Sequence, residues 1–171
     1  MSFFDFFKTK TNEEERTLSQ LYYDLSTILK EQSEEEHIKT SCFAGLLARL
    51  AHLDWKVCEL EKDFMLNTLM NKSSIGREQA EAVVEIALKN IEELGGLDNH
   101  LYVHPLRSLL TEDEKYSLIC NLFALAGADG VVGNDESEEI RIITKGLDLS
   151  SQHFLAARAT VINKLGALKK E

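Results

Sequence analysis

The feature that most restricts the fold of this 171-residue chain is one acidic pattern that occurs twice. Residues 51–61 align with residues 126–136 at a constant shift of 75 (126 − 51), and both copies share the spacing A-x-x-D-x-x-V-x-x-x-E. A period this long that occurs twice is typical of an internal duplication, because a solenoid needs three or more units. The sequence therefore predicts two similar three-helix units, residues 34–94 and 112–168, within one domain that covers residues 34–168.

Apolar residues recur every three or four positions along most of the chain, and this spacing is typical of amphipathic helices. The predicted helices cover about residues 13–31, 34–53, 59–70, 77–94, 111–128, 135–145 and 151–165. We therefore predict an all-α fold of about seven helices, in which an N-terminal segment and helix (residues 1–33) precede the duplicated unit. The helix that starts at Thr111 is apolar on nearly every side, so we expect Phe123, and Leu47 in the first unit, to be buried.

Helix starts are predicted from capping residues. Thr111 and Glu114 form a capping box, in which each side chain accepts a hydrogen bond from the backbone N–H of the other. Ser73 or Ser74 is expected to cap the helix at 77–94, and Ser150 or the next serine is expected to cap the last helix.

The only proline, Pro105, and the only pair of adjacent glycines fall in the stretch Gly95–Leu110. Because both residue types interrupt helices, this stretch is predicted to be the one long connector. His100 and His104 have the i, i+4 spacing of two zinc ligands on a helix, but no third ligand lies near them in the sequence. We therefore expect them to be exposed loop histidines.

Acidic residues dominate the charge, with 29 Asp and Glu against 19 Lys and Arg and a net charge of −10. Such a surface repels phosphate backbones and anionic lipids, and no basic stripe offsets it. We therefore expect no nucleic-acid partner and favour cations and basic protein surfaces. Membrane contact is expected only through an apolar tip, and the alternative is that its rings pack against the helical body. The tip consists of Phe3, Phe4, Phe6 and Phe7.

Three scattered cysteines, Cys42, Cys58 and Cys120, predict reduced, buried thiols rather than a disulfide framework. Neither a secretory signal nor an apolar segment long enough to span a membrane is evident. These observations favour a cytoplasmic protein. The sequence also contains no recognisable nucleophile motif and no glycine-rich phosphate loop, so we predict no catalytic residues and no enzyme activity.

The repeated acids match the second half of an EF-hand loop, because Glu136 at the last position places Asp129 at the fifth. The first half is missing in both copies, so neither loop alone holds enough oxygens. Two half-loops brought together would supply four carboxylates, a set that suits Ca²⁺, or Mg²⁺ in a tighter cage. This candidate metal site consists of Asp54, Glu61, Asp129 and Glu136. The alternative explains the same acids as Asx-turns and as favourable charges at helix N-termini.

The second copy also resembles the tellurite-resistance TerB-like family, whose hallmark is A-x-A-D-G-x-[IV]-x-x-x-E with a weaker copy upstream. The similarity is carried by residues 122–132, Glu136, Ile140-Arg141 and residues 154–158, and it covers about residues 40–162. The resemblance implies an all-helical fold of about seven helices, chelation of metal by the repeated acids, and a place in bacterial stress and tellurite-resistance systems. In the first copy Trp55 replaces the glycine, which predicts a distorted half-site if tryptophan cannot adopt the turn.

Together, the residues and the resemblance predict a cytoplasmic, divalent-metal-binding module that acts through protein partners in a stress response, with Ca²⁺ as the candidate ion. The alternative is a metal-free helical adaptor whose acidic turns are only caps. A metal-dependent hydrolase ranks last, because the sequence offers no separate general base.

Overall fold

The computed structural model describes residues 20–94 and 100–166, and every regular element within these ranges is helical. This confirms the predicted all-α fold. After a helical stretch at residues 20–25, the helices are α1 (Glu34–Ala51), α2 (Glu59–Ser73), α3 (Arg77–Leu94), α4 (His100–Leu109), α5 (Glu112–Ala126), α6 (Asn134–Gly146) and α7 (Ser151–Ala159), with a 3₁₀ turn at Ile162–Lys164. Within the described ranges, no helix is long and apolar enough to cross a membrane.

The helix ends around the two acidic turns follow the predicted shift of 75. Helix α1 ends at Ala51 and α5 at Ala126, while α2 begins at Glu59 and α6 at Asn134. The helix order α1–α2–α3 thus recurs as α5–α6–α7. That the two units superpose as whole bodies stays a prediction.

Two of the predicted caps are confirmed. The Thr111 hydroxyl accepts a hydrogen bond from the backbone of Glu114 at the start of α5, and the Ser150 hydroxyl accepts one from the backbone of His153 at the start of α7. The predicted cap on α3 is wrong. Ser74 instead ends α2 in a left-handed conformation with φ of 50°, and at the start of α3 the Gly76 N–H donates to the side chain of Gln79.

The predicted connector is also wrong for most of its length, because residues 100–109 form helix α4 with Pro105 inside it. Proline removes one helical hydrogen bond, but burial offsets this loss, since Leu101, Tyr102 and Leu106 are all 1% exposed or less. His100 and His104 lie on this helix rather than in a loop, with ring centroids 5.9 Å apart. The paired glycines at 95 and 96 lie outside the described residues.

Helix α1 is the centre of the packing and contacts α2, α3, α4 and α5. Gly45 on α1 lies directly against the ring of Tyr102 on α4, and an added Cβ would lie only 2.7 Å from Cδ1 of that ring. Tyr102 is fully buried, and this burial raises the pKa of its hydroxyl. A glycine at position 45 therefore permits the close approach of the two helices.

The predicted core is confirmed at both positions tested, since Phe123 and Leu47 are each 0% exposed. Phe123 also contacts Phe154 of α7, with ring centroids 5.5 Å apart. The expectation of three buried thiols is wrong in part. All three cysteines are free, but only Cys42 is buried, while Cys58 and Cys120 are half-buried.

The first and last helices end earlier than predicted. The described part of the first helix ends at residue 25 and gives way to turns, and its predicted start at 13–19 lies outside the described residues, as do Phe3, Phe4, Phe6 and Phe7. Helix α7 ends at Ala159 instead of residue 165. The β-branched run Thr160–Ile162 follows directly, and such residues have low helix propensity.

Candidate functional site

The two acidic turns hold their aspartates in the same way. Asp54 Oδ1 accepts a hydrogen bond from the Lys56 N–H at 2.9 Å, and Asp129 Oδ1 accepts one from the Val131 N–H at 3.0 Å. Each contact spans two residues, which is the geometry of an Asx-turn. Both aspartates are exposed. The structure therefore gives each aspartate a local role in closing its turn.

The two glutamates are also equivalent. Glu61 Oε2 accepts from the Cys58 N–H at 2.8 Å, and Glu136 Oε2 accepts from the Gly133 N–H at 2.7 Å. Each carboxylate thus binds a backbone N–H just before its own helix, as the third-residue glutamate of a capping box does. Glu61 is buried and Glu136 is half-buried. Within the described residues, each of the four acids uses one oxygen in this way, and its second oxygen accepts no hydrogen bond.

Trp55 and Gly130 occupy the same place in the two turns. Trp55 has φ of 62° and Gly130 has φ of 106°, so both lie in the left-handed region. The N–H of each donates to the carbonyl three residues earlier at 3.1 Å, from Trp55 to His52 and from Gly130 to Gly127. The predicted distortion of the first turn is therefore absent. A left-handed conformation costs a residue with a Cβ about 1–2 kcal/mol, so tryptophan keeps the turn with some strain.

Charge interactions show that the two turns lie close together. The pKa of Glu136 is raised to about 7, chiefly by burial and also by the charges of Asp129, Glu61 and Asp54, while the hydrogen bond from the Gly133 N–H lowers it. Two of these carboxylates belong to the other turn. A packing that placed the turns at opposite ends of the molecule would remove this effect, since such interactions fall off with distance. All four predicted acids therefore share one electrostatic environment.

The charge effect on Glu136 does not by itself place the carboxylates at coordination distance from one ion. Among the residues that the structure describes, no three His, Cys, Asp or Glu side chains are placed to hold one ion. This holds for the four acids and for His100 and His104. Charge effects reach several ångströms further than the 2.3–2.6 Å of a Ca²⁺–oxygen bond, so the two observations are compatible. Coordination of one ion would need the carboxylates to turn towards each other.

Residues 164–166 form hydrogen bonds with the second turn. The sequence patterns did not predict this contact. The Val132 N–H donates to the Lys164 carbonyl at 2.7 Å, and the Gly166 N–H donates to the Val132 carbonyl at 3.0 Å. Lys164 Nζ also donates to the Gly127 carbonyl at 2.8 Å. The only sequence signal for this segment is the β-branched run at 160–162 that ends α7. These contacts fix the backbone of the second turn from both sides.

A cavity of about 310 Å³ lies away from the acidic turns, between α1, the end of α2, α4 and α5. Its wall includes Phe43, Leu106 and Leu118 together with Lys72, whose Nζ donates to the Ser117 hydroxyl at 2.8 Å. None of the four acids lines it. The cavity and the acidic turns are therefore separate features.

Paired acidic turns at two equivalent helix–turn–helix junctions define this chain as an all-helical protein with a repeated acidic turn. The family model described as tellurite resistance protein TerB matches residues 40–159, which contain both turns. The chain therefore belongs to the TerB family, as the resemblance implied. No curated protein and no solved structure matches it.

Proposed function

We propose that this TerB-family chain binds a divalent cation through the carboxylates of its two acidic turns and acts, through protein partners, in a bacterial tellurite-resistance or stress response. The residues that would hold the ion are Asp54, Glu61, Asp129 and Glu136. The observation that carries the proposal is the raised pKa of Glu136, which three other carboxylates influence from both turns. Like charges held this close are unfavourable unless a cation neutralises them.

The donor set fits a hard cation. Carboxylate oxygens are the ligands that Ca²⁺ and Mg²⁺ prefer, and Ca²⁺ accepts six to eight oxygens in flexible geometry. The second oxygens of the four acids, which accept no hydrogen bond from the described residues, supply four of these. Water would complete the shell. The Asx-turns and capping contacts can remain while the second oxygens bind, so coordination does not require the turns to unfold.

The alternative function is a metal-free adaptor, and a specific observation favours it. Each of the four acids already has a local role, as an Asx-turn or as a cap. Such roles are common in proteins that bind no metal. In either case we propose that the protein is not an enzyme, because the sequence contains no recognisable nucleophile motif and no glycine-rich phosphate loop.

Isothermal titration calorimetry of the full chain with Ca²⁺, Mg²⁺ and Zn²⁺ separates the two functions. We expect saturable heat with Ca²⁺ or Mg²⁺, at one ion per chain if the two turns share a site and two if each binds alone. The variant Asp129→Asn with Glu136→Gln should lose this heat if the site is shared, and should keep one of two ions if each turn binds alone. A matched control, Asp113→Asn with Glu78→Gln, removes the same charges from exposed acids on α5 and α3 and should keep it. The absence of heat with all three ions would favour the adaptor.

A further inference from the structure

The first acidic turn exposes two apolar side chains that its twin lacks. Trp55 is 74% exposed and Leu60 is 60% exposed. Both lie between Asp54 and Glu61 in the sequence. The matching positions of the second turn hold Gly130 and Asp135. The two turns share the Asx contact of their aspartates and the hydrogen bond from the next N–H to the carbonyl three residues earlier. The shared turn geometry therefore does not require an apolar residue at either position.

Trp55 is an unfavourable choice for the fold itself. Its left-handed φ of 62° strains any residue with a Cβ, and glycine at the twin position avoids this strain. The indole gains little burial in return, since most of its surface stays exposed although its ring packs edge-on with that of His52, with centroids 4.9 Å apart. A strained and exposed aromatic residue that the fold does not need is typical of a binding surface.

The charge around Trp55 selects the kind of partner. Residues 54–63 hold four acids and two lysines, and one of these, Lys62, is already paired with Glu59 at 2.8 Å. A guanidinium stacks well on an indole face and pairs with a carboxylate at the same time. Anionic membranes and nucleic acids are repelled by such a surface.

We propose that the Trp55–Leu60 surface, meaning the exposed face of residues 54–60, docks a basic, partly apolar segment of a partner protein, with Trp55 as the anchor for an arginine. The inference goes beyond cation binding and does not depend on it, since it rests on exposure and charge in the first turn alone. On this proposal, the strained conformation of Trp55 serves to present its indole ring to a partner.

The defined probe is a short, blocked peptide of alternating arginine and leucine, titrated into the full chain. Trp55 is the only tryptophan, so its fluorescence reports directly on the proposed surface. We expect a saturable change in emission that weakens as salt is added, because surface charge pairs are screened. Peptides of alternating glutamate and leucine, and of arginine and serine, test charge and apolar contact separately. Both should bind at least about tenfold more weakly.

The decisive variant is Trp55→Gly, which gives the first turn the residue of its twin. We expect it to fold and melt nearly as the wild type does, and to bind the arginine–leucine peptide at least about tenfold more weakly by calorimetry, as for a tryptophan hot spot. Leu155→Ser, at another exposed apolar residue on α7 with 59% exposure, should bind as the wild type does. Trp55→Phe should keep part of the affinity.

Several outcomes would overturn the proposal. Undiminished binding to Trp55→Gly would show that the peptide binds elsewhere. Equal binding of the glutamate–leucine peptide would remove the argument from charge. Concentration-dependent association of the chain with itself, lost in Trp55→Gly, would make a second copy the occupant. A shift in emission with vesicles of phosphatidylcholine and phosphatidylglycerol, but not with the peptide, would make a membrane the occupant.

Discussion

Arg49 Nε lies 2.7 Å from Glu139 Oε1, with only 17% and 12% of the two side chains exposed. Arg49 is in the last turn of α1, just before the first acidic turn, and Glu139 is in α6, just after the second. The ion pair therefore joins the two units close in sequence to both acidic turns.

Arg49→Ala should destabilise the fold by about 2–3 kcal/mol, because it removes a positive charge that pairs with the largely buried Glu139. The control is Arg77→Ala, which breaks an ion pair with Glu81 whose side chains are 67% and 51% exposed. That change should cost less than about 1 kcal/mol. Urea unfolding measures both. Equal losses in the two variants would mean that the Arg49–Glu139 pair does not hold the units together.

Phe123→Ala should cost about 3–5 kcal/mol, since Phe123 is 0% exposed and its removal leaves a cavity beside Phe154. Leu155→Ala, at an exposed position on the neighbouring helix, should stay within about 0.5 kcal/mol of the wild type. Chemical denaturation gives both values. A loss below about 1 kcal/mol for Phe123→Ala would contradict a central position for α5.

Gly130→Ala should destabilise the protein by about 1 kcal/mol or more, because its φ of 106° is unfavourable for a residue with a Cβ although the space around it is open. Trp55→Gly should change stability by less than about 1 kcal/mol, since relief of strain offsets the greater freedom of glycine in the unfolded chain. Thermal unfolding of Gly130→Ala and Trp55→Gly measures both changes in stability. A large loss in Trp55→Gly would mean that the indole stabilises the fold.

The raised pKa of Glu136 predicts a pH dependence with a definite sign. Its folded pKa of about 7 lies above the ordinary 4.5, so the folded state holds this proton more tightly. The carboxyl therefore contributes stability that is fully present below about pH 4.5 and is lost as the pH rises through about 7. Glu136→Gln keeps an oxygen for the Gly133 N–H but carries no charge. Without divalent cations, it should gain stability relative to the wild type between pH 5 and 8.

Glu138→Gln is the control for this measurement, because Arg141 holds the pKa of that exposed carboxyl below its usual range. The pKa shift of Glu138 has the opposite sign to that of Glu136, so Glu138→Gln should show no gain in stability over the wild type as the pH rises. A difference between Glu136→Gln and the wild type that stays constant from pH 5 to 8 would contradict the raised pKa of Glu136.

The sequence was sufficient for the fold class, the family and the equivalence of the two turns, because these depend on local spacing. In each turn the aspartate closes an Asx-turn and the glutamate caps the next helix. Both hydrogen bonds join residues two or three positions apart, so the local sequence is enough to predict them. The left-handed conformation of Trp55 could not be predicted, since the residue type opposes it.

Longer-range features were beyond the sequence signals. Pro105 indicated a connector, but the burial of Leu101, Tyr102 and Leu106 outweighs its local preference, as tertiary packing often does. The pairing of Val132 with the segment 164–166 joins residues more than thirty positions apart and has no periodic pattern. The charge effect of Asp54 and Glu61 on Glu136 likewise depends on how whole helices pack.

Thermal unfolding with and without Ca²⁺ tests the shared cation site most directly. At a hundredfold excess over the dissociation constant, a bound ion adds about 2.7 kcal/mol, which corresponds to a rise of roughly 5–10 °C in Tm for a chain of this size. We predict this rise in the wild type and in the control Asp113→Asn with Glu78→Gln, and its loss in Asp129→Asn with Glu136→Gln. A wild-type Tm that does not change with Ca²⁺, Mg²⁺ or Zn²⁺ would contradict the proposed cation site.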